Sequence, residues 1–256
     1  MAAIEHEAVA LVLDCRDQGE SDLIVTLFCR DLGRLTCIAK GAKRSKKRFV
    51  NKLELFSALQ IRYRESRAGG LSLLADADLL ESFLELRHQV PLYTVATVVR
   101  ELMLMATKDM EGDDSLFDLV IWALRTLDSG RAPLNTLALF LIKFLDQIGY
   151  RPNFSTCAAC ETPITPGQSY SFSHSRGTIL CTSCCDLRLR STPPVSLGTI
   201  KMIRAVQDQP LNRLHRLHFS PTMCREGLHL LHRYTGRLFQ RDIHSWKFLT
   251  LEPPAK

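Results

Sequence analysis

Four cysteines carry the most specific chemistry in the sequence. Cys157-Ala-Ala-Cys160 and Cys181-Thr-Ser-Cys184 are two C-x2-C pairs separated by twenty residues. Each pair can aim two thiolates at one cation from a tight turn, and two such turns complete a tetrahedron. A shell of four thiolates has no position for water, so the expected ion is a structural zinc and not a catalytic one. The fourth ligand stays open: Cys185 directly follows Cys184, and His174 could replace a displaced thiolate. Cys15, Cys29, Cys37 and Cys224 lie in apolar runs and read as small core residues.

The second chemical feature is Lys40 to Arg48, where six of nine residues are cationic and no Asp or Glu occurs between Asp31 and Glu54. The run has no acids of its own to pair with and must find anions elsewhere. Lys and Arg at this density suit a phosphate backbone better than a small substrate. The candidate phosphate-contacting residues are Arg34, Lys40, Lys43, Arg44, Lys46, Lys47 and Arg48. Phe49, Phe56 and Tyr63 flank the run and read as core, with stacking on bases as the alternative. A solvated loop is the bland reading of the charge run itself.

Elements must hold these groups. Residues 7–77 alternate β-like runs with turn chemistry: Ala8 to Leu13, Leu23 to Phe28, Arg34 to Ala39, Leu55 to Tyr63 and Leu71 to Ala75. Five strands in so short a span predict a small closed barrel, OB-like or SH3-like, with the basic run on the connection between two strands. After Ala77 the period changes to about 3.6, with Leu79, Leu80, Phe83, Leu84 and Leu86 on one helical face. Pro91, the Asp113-Asp114-Ser115 cap, Pro133 and Ser220-Pro221 mark later helix starts; Gly130 and Gly149 mark ends. Phe117, Trp122 and Phe140 read as helical core. Around Ser175-Arg176-Gly177, alternation over Gln168 to His174 and Thr178 to Cys181 predicts a hairpin that carries the second knuckle back to the first. The expected organisation is α+β and multidomain: a five-stranded β-barrel, OB-like or SH3-like, over 1–78, a mainly helical domain over 79–150 and 193–249, and a zinc-ribbon-like module inserted at 151–192.

Composition bounds the function. The chain has 256 residues and a net charge of +6, with residues 186–256 at +7 and residues 81–150 at −4. A polyanion would meet the basic ends and leave the acidic middle for packing or a protein partner. Nine cysteines, an odd number with five crowded into one module, argue against a disulfide framework. The opening Met-Ala-Ala-Ile-Glu-His-Glu lacks the features of a secretion signal, and no apolar run reaches the length of a membrane span, so a cytoplasmic protein without membrane contact is expected. No G-x-x-x-x-G-K-[ST] loop and no H-E-x-x-H occurs, and no catalytic set stands out. A non-enzymatic nucleic-acid binder is therefore expected. A zinc-stabilised RNA- or ribosome-binding module is the alternative.

The ordered set of motifs resembles a known family. Glu7-Ala-Val-Ala-Leu-Val-Leu, Gly19-Glu20-Ser21-Asp22, Gly33-Arg34-Leu35 and Ala39-Lys40-Gly41-Ala42 resemble the N-terminal barrel of the bacterial recombination mediator RecO. Leu145-Asp-Gln-Ile-Gly149-Tyr150-Arg151-Pro152, the two cysteine pairs, Phe172-x4-Gly177, Arg233-Tyr234 and Ser245-x2-Phe248 follow in the family's order. Each piece is weak alone; the ordered set spans nearly the whole chain. The resemblance implies an OB-fold barrel, binding of single- and double-stranded DNA, and annealing of complementary strands. It implies cooperation with RecR, and in some members RecF, to load RecA onto DNA coated by single-stranded-DNA-binding protein, whose acidic, apolar C-terminal tail is a docking partner for some members. Zinc in such a family is structural support. Two departures stand out: the doubled cysteine at 184 and 185, and Arg176 where members often have a second glycine. Arg125 and Arg131 are candidate anchors for an acidic tail, with a solvated helix end as the other reading.

Overall fold

A computed structural model describes residues 4–66, 70–109, 111–185 and 194–251. The chain divides into two compact units, Met1–His88 with Leu102–Leu124, and Gln89–Glu101 with Arg125–Lys256.

The first unit is built on five strands: β1 Glu5–Gln18, β2 Asp22–Cys29, β3 Gly33–Ala39, β4 Ala58–Arg64 and β5 Ser72–Glu81. They close into a barrel in the order β1-β2-β3-β5-β4, with β3 and β5 parallel and the other pairs antiparallel. That is the five-stranded OB-type arrangement. β1 is long enough to pair β4 through its first half and β2 through its second, and a register shift between Val12 and Asp14 gives the bend this requires. Alternation then fills the interior: on β3, Leu35, Cys37 and Ala39 point inward beside Val25, Leu27, Leu59 and Ile61.

One strand is longer than its sequence suggests. Leu79 and Leu80, expected on a helix, belong to β5, which pairs β4 as far as Ala58↔Glu81. Ladder bonds that close the barrel outweigh the local helical spacing, and both side chains stand exposed on the strand. The following helix is short, α1 Leu84–His88, and buries Leu86. β3 starts against a loop from the same unit. Gly33 adopts φ +70, and a Cβ there would lie 2.2 Å from the Glu111 carbonyl oxygen, so only glycine fits.

The helices follow as α2 Val90–Ala106, α3 Asp114–Asp128 and α4 Pro133–Gln147, and after the cysteine module as α5 Leu197–Asp208 and α6 Pro221–Phe239. Their starts match the chemistry of the sequence. Asp113 Oδ1 accepts from Leu116 N, Ser196 Oγ from Thr199 N, and Ser220 Oγ from Met223 N. Within the second unit α4 packs on α5 and α6, burying Leu137 to Ile142, Phe144 and Leu145. Phe117 and Phe140 are buried as expected, whereas Trp122 is only half-buried. No helix among the described residues is long and apolar enough to cross a membrane.

The module is a three-stranded sheet, β6 Asn153–Cys157, β7 Tyr170–Ser173 and β8 Thr178–Cys181, in the order β6-β8-β7. β7 and β8 form the expected hairpin, and β6, which the sequence reading lacked, lies parallel to β8. Residues 186–192 of the expected 151–192 module lie outside the described residues.

Candidate nucleic-acid interface and metal centre

The basic run occupies the connection between β3 and β4. Gly41 turns the chain at φ 67 into a 3-10 turn over Ala42–Arg44, and the turn is stitched to the β1–β2 connection. Asp22 Oδ1 accepts from Gly41 N at 2.8 Å, and the Ser21 carbonyl from Lys43 N at 3.0 Å. The Gly41 bond, joined by the Ser21 hydroxyl, holds the Asp22 carboxyl below its usual range.

Among the seven candidate cations the structure distinguishes four situations. Lys43 pairs with Asp17 at 2.8 Å and Arg44 with Glu20 at 3.4 Å, so the loop does meet acids of its own chain, supplied by the end of β1 and the turn that follows it. That corrects the expectation that the run must find all its anions elsewhere: sequence distance hid a neighbour that sheet pairing brings close. Arg48 donates to the carbonyls of Ala75 and Lys40, and its guanidinium lies 5.0 Å from the Phe49 ring centroid. Lys40, Lys46 and Lys47 are exposed and, among the described residues, make no ion pair. Arg34 stands apart, six residues from Lys40 along β3, about 20 Å away, with its guanidinium on Asp109 at 2.7 Å and the Leu104 carbonyl at 3.3 Å. The structure thus gathers Lys40 to Arg48 at one loop and leaves Arg34 at the far end of the strand.

Phe49, Phe56 and Tyr63 are buried at 4%, 1% and 2% exposure. They hold the loop down as core side chains, which favours packing over base stacking. Of the acids that organise the loop, Asp17, Glu20 and Asp22, only Glu20 and Asp22 stand out in the sequence, as part of Gly19-Glu20-Ser21-Asp22, and none of the three is assigned a role beside the basic run there.

The cysteine cluster forms where β6 and β8 end. The sulfurs of Cys157, Cys160, Cys181 and Cys184 all lie within 4.8 Å of one another, and Cys160 Sγ is 3.8 Å from Cys181 Sγ. A tetrahedron with metal–sulfur bonds of about 2.3 Å has edges of about 3.8 Å, so the donor set fits one soft cation. Both knuckles fold back on their first cysteine: Glu161 N donates to the Cys157 carbonyl at 2.9 Å and Cys184 N to the Cys181 carbonyl at 3.0 Å. Burial opposes ionisation of Cys157, yet N–H groups of Cys181, Cys160 and Ala159 bring its thiol down to about 6. Hydrogen bonding with Cys181 and Cys160 pushes Cys184 up to about 12: four thiolates this close repel one another until a cation joins them. Cys184, and not Cys185, has its sulfur in the cluster. His174 points elsewhere, edge-on to Phe172 at 5.3 Å. Cys29 and Cys37 are buried thiols pushed up to about 12 by desolvation, as inert core residues should be.

Comparison with known proteins decides the family. Residues 1–83 match the family model for Recombination protein O N terminal, and residues 87–247 match Recombination protein O C terminal. The chain belongs to the RecO family. Among curated RecO relatives, the DNA repair protein RecO of Syntrophobacter fumaroxidans is 35% identical over 210 residues, covering 82% of this chain and 83% of the relative. That of Syntrophus aciditrophicus is 30% identical over 250 residues, covering 95% of each chain, and that of Myxococcus xanthus is 34% identical over 199 residues, covering 78% and 80%. The N-terminal match ends at residue 83, just past β5, and the C-terminal match begins at residue 87, within α1.

Proposed function

We propose that the chain is a DNA repair and recombination mediator that binds single- and double-stranded DNA without reading sequence and anneals complementary strands. The observation that carries the reading is the loop from Lys40 to Arg48 on an OB-type barrel, with Lys46 and Lys47 exposed and, among the described residues, without an ion pair. Phosphate contacts position a strand without specifying its bases, which suits annealing of arbitrary sequences. Lys40, Lys43, Arg44, Lys46, Lys47 and Arg48 take phosphates in place of counterions, and Arg34 serves as an outlying contact. Neutralising two strands together lowers their mutual repulsion, so that they meet and pair.

Family membership supports the wider role: cooperation with RecR, and with RecF where needed, in loading RecA onto DNA coated by single-stranded-DNA-binding protein. The domain reading that goes with it is a DNA-binding barrel over 1–78, a helical domain over 79–150 and 193–249, and a zinc module over 151–192. Cys157, Cys160, Cys181 and Cys184 hold a structural zinc, whose chemistry is to replace repulsion among thiolates with coordination and so keep the two knuckles together.

The test is strand annealing by the full chain and by a Lys43→Ala/Arg44→Ala/Lys46→Ala/Lys47→Ala variant whose folding is confirmed by circular dichroism. With about six phosphates engaged on single strands, log Kd against log salt should have a slope of magnitude about 4, and the variant should lose most of both slope and annealing rate. A variant that anneals as fast as the wild type would remove the loop from the mechanism.

A further inference from the structure

Arg225, His229, Arg233 and Arg237 recur at every fourth position of α6, so they form one ladder with rungs about 6 Å apart. His229, Arg233 and Arg237 are exposed, and among the described residues none of the three arginines is in an ion pair. The one acid on this helix, Glu226, is already committed: its carboxylate accepts from Ser196 N at 2.6 Å, Ser196 Oγ at 2.5 Å and Thr199 Oγ1 at 2.6 Å.

The β7–β8 hairpin stands over the ladder. Phe172 meets Tyr234 edge-on at 5.8 Å, and Tyr234 in turn donates to the Tyr150 carbonyl at 3.2 Å. Beside this contact opens a cleft of about 380 Å³, lined by the apolar Phe172, Val195 and Leu230, by His174 and Arg233, and by the Glu226 carboxylate that Ser196 and Thr199 already engage. That volume lies in the range of small-ligand sites. Burial, and then the neighbouring Arg233 and Arg237, hold the His174 imidazole toward its neutral form. A neutral ring offers a flat face and a hydrogen-bonding edge in place of one more charge.

We propose that this cleft takes one unstacked base of a single strand whose flanking phosphates lie along the α6 ladder. An apolar floor beside a row of unneutralised cations is the pairing of surfaces that a nucleotide presents, base to one and phosphate to the other. A duplex keeps its bases stacked inside, so the site selects single strands. The inference rests on the nucleic-acid reading above for its ligand class, and adds a second site, on the second unit, that uses none of the Lys40 to Arg48 loop.

The experiment is fluorescence anisotropy of the full chain with a labelled oligodeoxythymidine and with the same oligomer carrying a run of abasic sites, each across a salt series. The wild type should bind the intact oligomer about fivefold or more tightly than the abasic one. Arg233→Ala/Arg237→Ala should reduce the log–log salt slope by about 1.4 and erase that preference. Arg233→Lys/Arg237→Lys should restore the slope, which separates lost charge from lost folding. Equal binding of the two oligomers by the wild type overturns the proposal. So does an unchanged slope in Arg233→Ala/Arg237→Ala, and so does loss of binding to an acidic oligopeptide with no change toward DNA, which would assign the cleft to a protein partner. Failure of the barrel-loop reading looks different: the loop variant would bind and anneal normally while the α6 variant did not.

Discussion

Lys43 Nζ lies 2.8 Å from the Asp17 carboxylate, and with Arg44 on Glu20 this ties the basic loop to the β1–β2 turn. Exposed pairs of this kind are worth about 0–1 kcal/mol each, so arriving phosphates can displace them. Removing the acids should therefore help DNA. Asp17→Asn/Glu20→Gln is expected to bind a mixed-sequence single strand about threefold more tightly at 0.1 M salt, from two fewer like charges within a Debye length of the strand. Lys46→Ala/Lys47→Ala should flatten the salt slope by about 1.4. Anisotropy titrations check both; weaker binding by the acid-free variant would mean that the pairs build the loop's shape and do not merely mask its charge.

The cysteine geometry makes a prediction about metal. The full chain should carry one zinc ion, released by chelator together with loss of ordered signal from the module, because four crowded thiolates do not hold themselves together. Cys184→Ser should reduce metal content sharply and Cys185→Ser should leave it near one per chain, since only the Cys184 sulfur lies in the cluster. Metal analysis after gel filtration settles which cysteine binds. Retention of zinc by Cys184→Ser and its loss from Cys185→Ser would reverse the assignment.

The hairpin turn depends on a single glycine. Gly177 has φ +63, and a Cβ there would lie 2.6 Å from the Tyr234 hydroxyl, whose ring is held by Phe172 and the Tyr150 carbonyl. Gly177→Ala should destabilise the second unit by about 1–3 kcal/mol, from left-handed backbone strain and the clash together. Adding Tyr234→Ala should remove the clash and leave the strain, so the two changes should combine non-additively in thermal melts. Simple additivity would mean that the two residues do not meet.

A carboxylate fastens the end of the described chain. Glu101 accepts from His244 N at 2.7 Å, Ser245 N at 2.8 Å and Ser245 Oγ at 2.5 Å. Burial raises its pKa, but the Ser245 and His244 bonds outweigh it and leave the group below its ordinary value of 4.5. A depressed carboxylate contributes stability that is full above its unfolded pKa and is lost as pH falls through the folded one. Melting temperature should thus drop as pH falls below about 4.5 in the wild type, and the part of that drop due to this group should vanish in Glu101→Gln, which starts less stable at neutral pH. Identical acid limbs in the two proteins would show that the clamp does not titrate.

Local chemistry made much of the fold legible in advance. Proline and Ser/Asp caps gave helix starts because the exposed N–H groups of a first turn need nearby acceptors or a residue without a donor. Short β-like runs bounded by turn residues gave all five barrel strands. The end of β5 was missed because Leu79 and Leu80 satisfy a helical spacing as well as a strand, and only the ladder to β4 separates the two. β6 was missed because five residues bounded by Asn153 and Cys157 carry too little pattern to stand out.

The sequence by itself determined the ligand chemistry of the two cysteine pairs, the density of charge between Lys40 and Arg48, and the order of motifs that places the chain among its relatives. Each of those is a short-range property that survives in an unfolded chain. Tertiary structure alone decided which cations are free. Arg34 is taken by Asp109, 75 residues away, and Lys43 and Arg44 by Asp17 and Glu20, while among the described residues the arginines of α6 make no ion pair and Arg233 lines a cleft. Charges act through distance in space, and only folding converts separation along the chain into that distance.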